Sequence, residues 1–125
     1  MAVTHPVAVR NLLCDAVVDR VDAGAGQGIL EFLTVGDSEV ATLTFSDPAF
    51  GPASAGIATA NTIVADNSAT GGTIAKARIR DSNNVDVFFC SVTATGAGGD
   101  IQLNSPIISA GQQVVLSSLT YAATP

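Results

Sequence analysis

Apolar residues in the first part of the chain recur at helical spacing, with Val9, Leu13, Val17 and Val21 in one stripe that Leu12 and Ala16 widen. Thr4 as N-cap and Pro6 in the first turn predict a helix over 5–23, ended by Gly24, Gly26 and Gly28. Asn11, Asp15, Asp19 and Asp22 fall together on the other face. The helix is therefore expected to have a wet acidic side and an apolar side that something must cover.

From Ile29 onward the period becomes twofold. Ile29 to Val35 is apolar on both faces apart from Glu31, the pattern of a central strand. In Val40 to Phe45, Ala41, Leu43 and Phe45 would face a core and Thr42 and Thr44 would face out, before Asp47-Pro48 stops the strand. The stretch 46–72 carries almost no charge and contains Pro48, Pro52 and several Gly and Ala. So long a loop is unusual in a compact domain, so a short strand is expected near Ile63-Val64, with the remainder an extended loop or an arm that touches a neighbour. Thr73 to Thr93 reads as a hairpin around Asp81-Ser82-Asn83-Asn84, residues that tolerate positive φ or bond their own backbone. Asp100 to Leu103 and Gln113 to Tyr121 read as two further strands, linked through Pro106 and the Ala110-Gly111 turn. Turn signals every ten or so residues indicate a mainly β domain, an antiparallel β-sandwich or barrel over 28–121 with one N-terminal α-helix.

Length and composition sharpen this picture. A chain of 125 residues fits one domain, 1–125, because one core of this size buries roughly two-thirds of the unfolded surface. The apolar share rests on Ala and Val, with five Phe, one Tyr and no Trp, so the core should be small and finely packed. Charged residues make up 13%, against a usual ~25%, a surface suited to packing against other proteins. A net charge of −6 with a single Lys argues against nucleic acid as partner, since phosphate binding needs clustered cations. Met1 to Pro6 lacks the basic opening and apolar stretch of a secretory signal, and no apolar run approaches the ~18 residues of a membrane span. A protein made in a cytoplasm, without a membrane, is expected. Cys14 and Cys90 read as buried small hydrophobes or, if the fold brings them together, a disulfide; with one His they make no metal-ligand spacing.

Catalytic chemistry finds little to work with. The one His, His5, sits beside the N-terminus and reads as a solvated terminal residue. Gly24 to Gly28 follows a helix instead of leading from a strand into one, so it reads as a connection and not a phosphate loop. Ser54 lacks the glycine two residues before it that a nucleophile elbow requires. Asp81 to Asp86 has the oxygens of a calcium loop, but Val92 stands where the bidentate Glu would fall. Asp15, Asp19 and Asp22 have no neutral ligand to join them and read as a solvated face. The expectation is a non-enzymatic protein with no cofactor and no metal. Lys76, Arg78 and Arg80 put three of the five cations on one strand face. That stripe can guard a sheet edge, pair with Asp86 across the hairpin, or meet acidic surface of an identical subunit, such as Asp15 and Asp19. Together with Phe50 these five residues are the interface candidates.

Three segments resemble a group of small phage and prophage virion proteins: Ala2 to Pro6 with Val9-Arg10-Asn11, Glu39 to Gly51, and Ala69 to Ala75. The runs Ile101 to Leu103 and Leu116 to Thr120 are similar to sandwich strands common in phage structural proteins. The resemblance implies a virion component without catalytic residues. Among such roles a decoration or cement protein on the capsid surface fits a small, weakly charged chain best, with the major capsid protein as partner and a homotrimer as its assembly. The rival expectations are a tail or fibre component and a soluble glycan-binding module, the latter disfavoured by a single Tyr and no Trp.

Overall fold

The computed structural model describes residues 3–122. Residues 1, 2 and 123–125, which the single-domain expectation included, lie outside the described residues. Helix α1 (Val7–Val18) tightens into a 3-10 turn at Asp19–Asp22. Its N-cap is Pro6, whose carbonyl accepts from the N–H groups of Val9 and Arg10. The helix thus begins later than a Thr4 cap predicted, and Thr4 lies outside it, because Pro6 holds extended backbone (φ −64°, ψ 160°) at the entry.

The central sheet is built from β1 (Ile29–Leu33), β2 (Glu39–Phe45), β4 (Ile63–Val64), β6 (Lys76–Arg80), β7 (Asp86–Ala94) and β8 (Ile101–Leu103), in the order β4-β2-β1-β6-β7-β8. Two small sheets, of β3 (Ile57–Thr59) with β10 (Thr120–Ala122) and of β5 (Gly72–Thr73) with β9 (Ile107–Ile108), complete it. The fold is mainly β, sandwich- or barrel-like, with one N-terminal α-helix among the described residues. β1 lies between β2 and β6, which is why its sequence is apolar on both sides of Glu31. All pairs are antiparallel except β7 with β8, where Val92 to Ala94 run parallel to Ile101 to Leu103. The expected antiparallel sandwich- or barrel-like arrangement thus carries one parallel pair among the described residues. Gly96 and Gly98 take φ of +91° and +87°, so the chain turns back within a few residues and re-enters beside Val92 in the same direction.

Alternation in β2 puts Ala41, Leu43 and Phe45 inside, where Leu30 and Phe32 of β1 and Ala77 and Ile79 of β6 meet them. Each fully buried Phe or Leu of this set contributes about 1.5–3 kcal/mol by leaving water. The same cluster takes in Cys14, Val18 and Val21 from the helix and Val114, Leu116 and Leu119 from the C-terminal segment. At Gly28 the helix exit passes so near the sheet that a Cβ would lie 2.8 Å from the Arg80 carbonyl oxygen. Only glycine fits that crossing.

Three expectations about elements need correction. The segment 46–72 is no arm: besides the expected β4 it contains β3, bridges pair Phe50 with Ala60 and Asp66 with Val114, and Ala49, Ala58 and Ala69 are buried in the core. Small residues let its backbone lie close on the body, an arrangement that low charge alone does not reveal. The run Gln113 to Tyr121 forms a strand only at its end; Val114 and Leu116 alternate inward, but among the described residues the backbone of the stretch before Thr120 is tied only by the Asp66 bridge to Val114 and the Ala60 N–H on the Leu119 carbonyl. Val35, assigned to the first strand, lies in the turn beyond it and is exposed.

Candidate functional site

The helix packs with its expected faces exchanged. Asn11 Oδ1 accepts from the Gly56 N–H at 2.7 Å, Asp15 Oδ1 from Ala53 N–H at 2.9 Å, and Asp22 Oδ1 from Ala49 N–H at 2.9 Å. Three acceptors on one helix face thus hold the 49–56 backbone, which runs antiparallel to the helix. A segment without strand partners along most of its length needs acceptors for its N–H groups when it is covered, and short carboxylate and amide side chains supply them. The side read as wet is the side that docks, with Cys14, Val18 and Val21 buried beside these acceptors.

The apolar stripe consequently faces outward along α1, with Val17 half-buried and only its last member, Val21, in the core. Leu12 is 69% exposed and Leu13 41%, with Val9 also exposed and Val3 and Val7 exposed ahead of them. Toward the end of α1 the stripe leads into a groove of about 220 Å³ between Ala16, Val17 and Arg20 on the helix and Val85, Asp86 and Val87 at the start of β7. A contiguous apolar strip on an otherwise folded surface marks a place built to be covered. The sequence carried a signal for it: Cys14 and Val18 form a second apolar set off the stripe, which its last member Val21 joins, so no single stripe could be the whole buried side.

The expected interface residues fall elsewhere. Phe50 is 6% exposed and packs its ring 5.7 Å from that of Phe45, so it is a core residue; this corrects its assignment to an interface. Asp15 is engaged by Ala53, whereas Asp19 is exposed. The cationic stripe lies on β6, an interior strand, which excludes the role of sheet-edge guard. Its partners are local. Arg78 Nη2 lies 3.1 Å and Arg80 Nη1 3.4 Å from Glu31 Oε1, and Arg80 Nε donates to Asp86 Oδ1 at 2.7 Å. Lys76 pairs with Asp37, whose carboxyl this hydrogen bond holds below its ordinary value. A bulge between Ile79 and Arg80 sets Arg80 opposite Asp86. Two arginines and two carboxylates leave this face locally neutral.

Asp81 is buried and closes the β6–β7 turn, its Oδ1 accepting from the N–H groups of Asn83 at 2.8 Å and Val85 at 3.0 Å, with Asn84 at φ +62°. Its carboxylate serves the turn. Cys14 and Cys90 are buried, as small hydrophobes are, and form no disulfide with each other; the Cys14 thiol donates to the Tyr121 carbonyl at 3.2 Å. Burial, with Asp100 adding to it, pushes the Cys90 thiol up to about 11. Among the described residues no helix is long and apolar enough to cross a membrane. Comparison of the chain with protein-family models, curated proteins and solved structures found no match.

Proposed function

We propose that this protein is a structural component of a phage particle, a capsid decoration protein that binds the assembled head shell and stabilises it. The observation that carries the reading is the outward apolar face of α1, with Leu12 and Leu13 exposed on a helix anchored from behind by Asn11, Asp15 and Asp22. A rigid apolar ridge on a weakly charged domain is suited to burial against another protein. The resemblance of Ala2 to Pro6 with Val9-Arg10-Asn11, of Glu39 to Gly51 and of Ala69 to Ala75 to small virion proteins supplies the kind of neighbour: the major capsid protein and further copies of the chain, in a trimer.

The mechanism is linkage. A protein that binds the assembled shell and not free coat subunits adds its binding free energy to the stability of the shell, and no bond is made or broken. Attachment through several identical subunits slows release even where each contact is modest. Protein synthesised in the host cytoplasm would then be found on the capsid surface.

Mass spectrometry of purified particles, with stoichiometry measured against the major coat protein, tests the reading. Copy numbers comparable to the coat protein are expected. A few copies per particle would instead indicate a tail or fibre component, and absence from particles would end the proposal.

A further inference from the structure

We infer that residues 112–122 form a strap that opens as a unit, and that the seat it leaves takes the same segment of a second copy of this chain. This stands apart from the particle reading, because it rests on how the segment is held and not on the outward face of α1.

The strands of the central sheet are held by ladders of backbone bonds, but most of the strap is not. In the run 113–119 Val114 exchanges two bonds with Asp66, at 2.8 and 3.0 Å, and the Leu119 carbonyl accepts from the Ala60 N–H at 2.8 Å. Among the described residues the N–H groups of Gln113 and of 115–119 meet no backbone acceptor. Grooves of about 300 and 250 Å³ separate the strap from β8 and from the connection after it, so no strand lies against that side. What holds the run is the burial of Val114, Leu116 and Leu119, the Tyr121 ring 5.1 Å from that of Phe88, and the short ladder of β10 on β3. A segment with few backbone bonds and few apolar anchors opens at lower free energy than the whole fold. The strap is entered through the turn Ser109 to Gln112, where Gly111 takes φ +84° with open space around it, so the turn straightens without collision.

The seat survives without the strap, because its wall is anchored elsewhere. Asp66 Oδ2 accepts from the Thr42 N–H of β2 at 2.9 Å, β4 pairs with β2, and Asn11, Asp15 and Asp22 hold the 49–56 backbone. An empty seat presents unpaired backbone groups at Asp66, Ala60 and β3 beside an uncovered apolar floor, and both costs favour refilling. Its occupant must be extended, with apolar side chains at i, i+2, i+5 and i+7. It must also offer an N–H and a C=O to Asp66 at the first of these positions and a C=O to Ala60 at the third. Val114, Leu116, Leu119 and Tyr121 meet these conditions residue for residue, so the segment that fits is the strap of a second copy. Closed and exchanged straps make the same bonds, and concentration sets the balance. Return to its own seat competes at an effective concentration of millimolar order, and exchange gains as copies crowd together.

Thr59 and Thr120 are exposed and directly opposed across the β3–β10 ladder. Because Ala60 and Leu119 are the bonded neighbours, they form a pair without ladder bonds, whose close spacing a disulfide spans. Chains carrying Thr59→Cys are mixed with chains carrying Thr120→Cys at rising concentration and then oxidised. The expected product is a cross-link between the two kinds of chain, at least about tenfold above the cross-linking of either kind alone and increasing with concentration. Cross-links no more abundant in the mixture than in either kind alone overturn the inference. Where either variant fails to fold, isotope-filtered NMR on a concentrated mixture of labelled and unlabelled unaltered chains reads the same exchange. Contacts between Ala58 of one copy and Tyr121 of the other are expected, and contacts within one copy only overturn it. The opening itself is read on the unaltered chain: Cys14 is fully buried with its thiol on the Tyr121 carbonyl, so a water-soluble thiol reagent should label it with a urea dependence well below that of global unfolding. Labelling with the full urea dependence overturns the strap as a separate unit.

Discussion

Asp22 illustrates how one side chain carries opposing demands. Its Oδ1 holds the Ala49 N–H, which favours the ionised form, but burial and the nearby Asp47 and Asp19 raise its pKa above the ordinary carboxylate value of 3.8. A carboxyl raised in the folded state stabilises the fold below the unfolded value, and that contribution is lost as pH rises through the folded one. At neutral pH the charge is therefore a net cost, while the oxygen acceptor is a gain. Asp22→Asn keeps an acceptor and removes the charge, so thermal melts at pH 7 should show equal or higher stability, by a few tenths of a kcal/mol. The gap should close as pH falls below the ordinary carboxylate value of 3.8, where the folded and the unfolded carboxyl both take up the proton. A loss of more than about 1 kcal/mol at pH 7 would mean that the ionised form is required.

At the scale of elements, the β1–β6–β7 face is organised by Glu31, which sits between Arg78 and Arg80 on the neighbouring strand with its side chain 13% exposed. Pairs at this depth lie between surface ion pairs, worth about 0–1 kcal/mol, and fully buried ones, whose disruption costs about 3–5 kcal/mol. Charge reversal at Arg78 sets a third carboxylate beside Glu31 and Asp86. Arg78→Glu is thus expected to destabilise the monomer by about 1–3 kcal/mol in urea unfolding. This reverses what an intermolecular role for the stripe implies, namely weaker assembly with the monomer unaffected. Unchanged unfolding combined with lost association would restore that role.

For the whole molecule, the exchange of helix faces separates what stabilises the fold from what is left for partners. The clamp on 49–56 and the core residues Cys14, Val18 and Val21 anchor α1, so its outer apolar residues are free of structural duty. Replacing Leu12 and Leu13 together by Ser should leave the melting temperature within the change typical of surface substitutions, about 0.5 kcal/mol or less. The same variant should lose particle occupancy or self-association, read by sedimentation and by co-purification with particles. A variant that unfolds would instead place this stripe in the core.

Several features were legible in the chain because local physics decides them: the twofold alternation of Ala41, Leu43 and Phe45, the turn chemistry of Asp81 to Asn84, the central position of the Glu31 strand, and the mainly β class with an N-terminal helix. Each depends on a residue's own side chain and its immediate neighbours. Which face of α1 turns inward depended instead on a segment some forty residues away, whose N–H groups needed Asn11, Asp15 and Asp22 more than the sheet needed Leu12 and Leu13. The burial of Phe50, the local pairing of Arg78 and Arg80 and the parallel seat of β8 are of the same kind. Periodicity tells a chain that it has two faces, but only contacts between distant segments decide which of them water keeps.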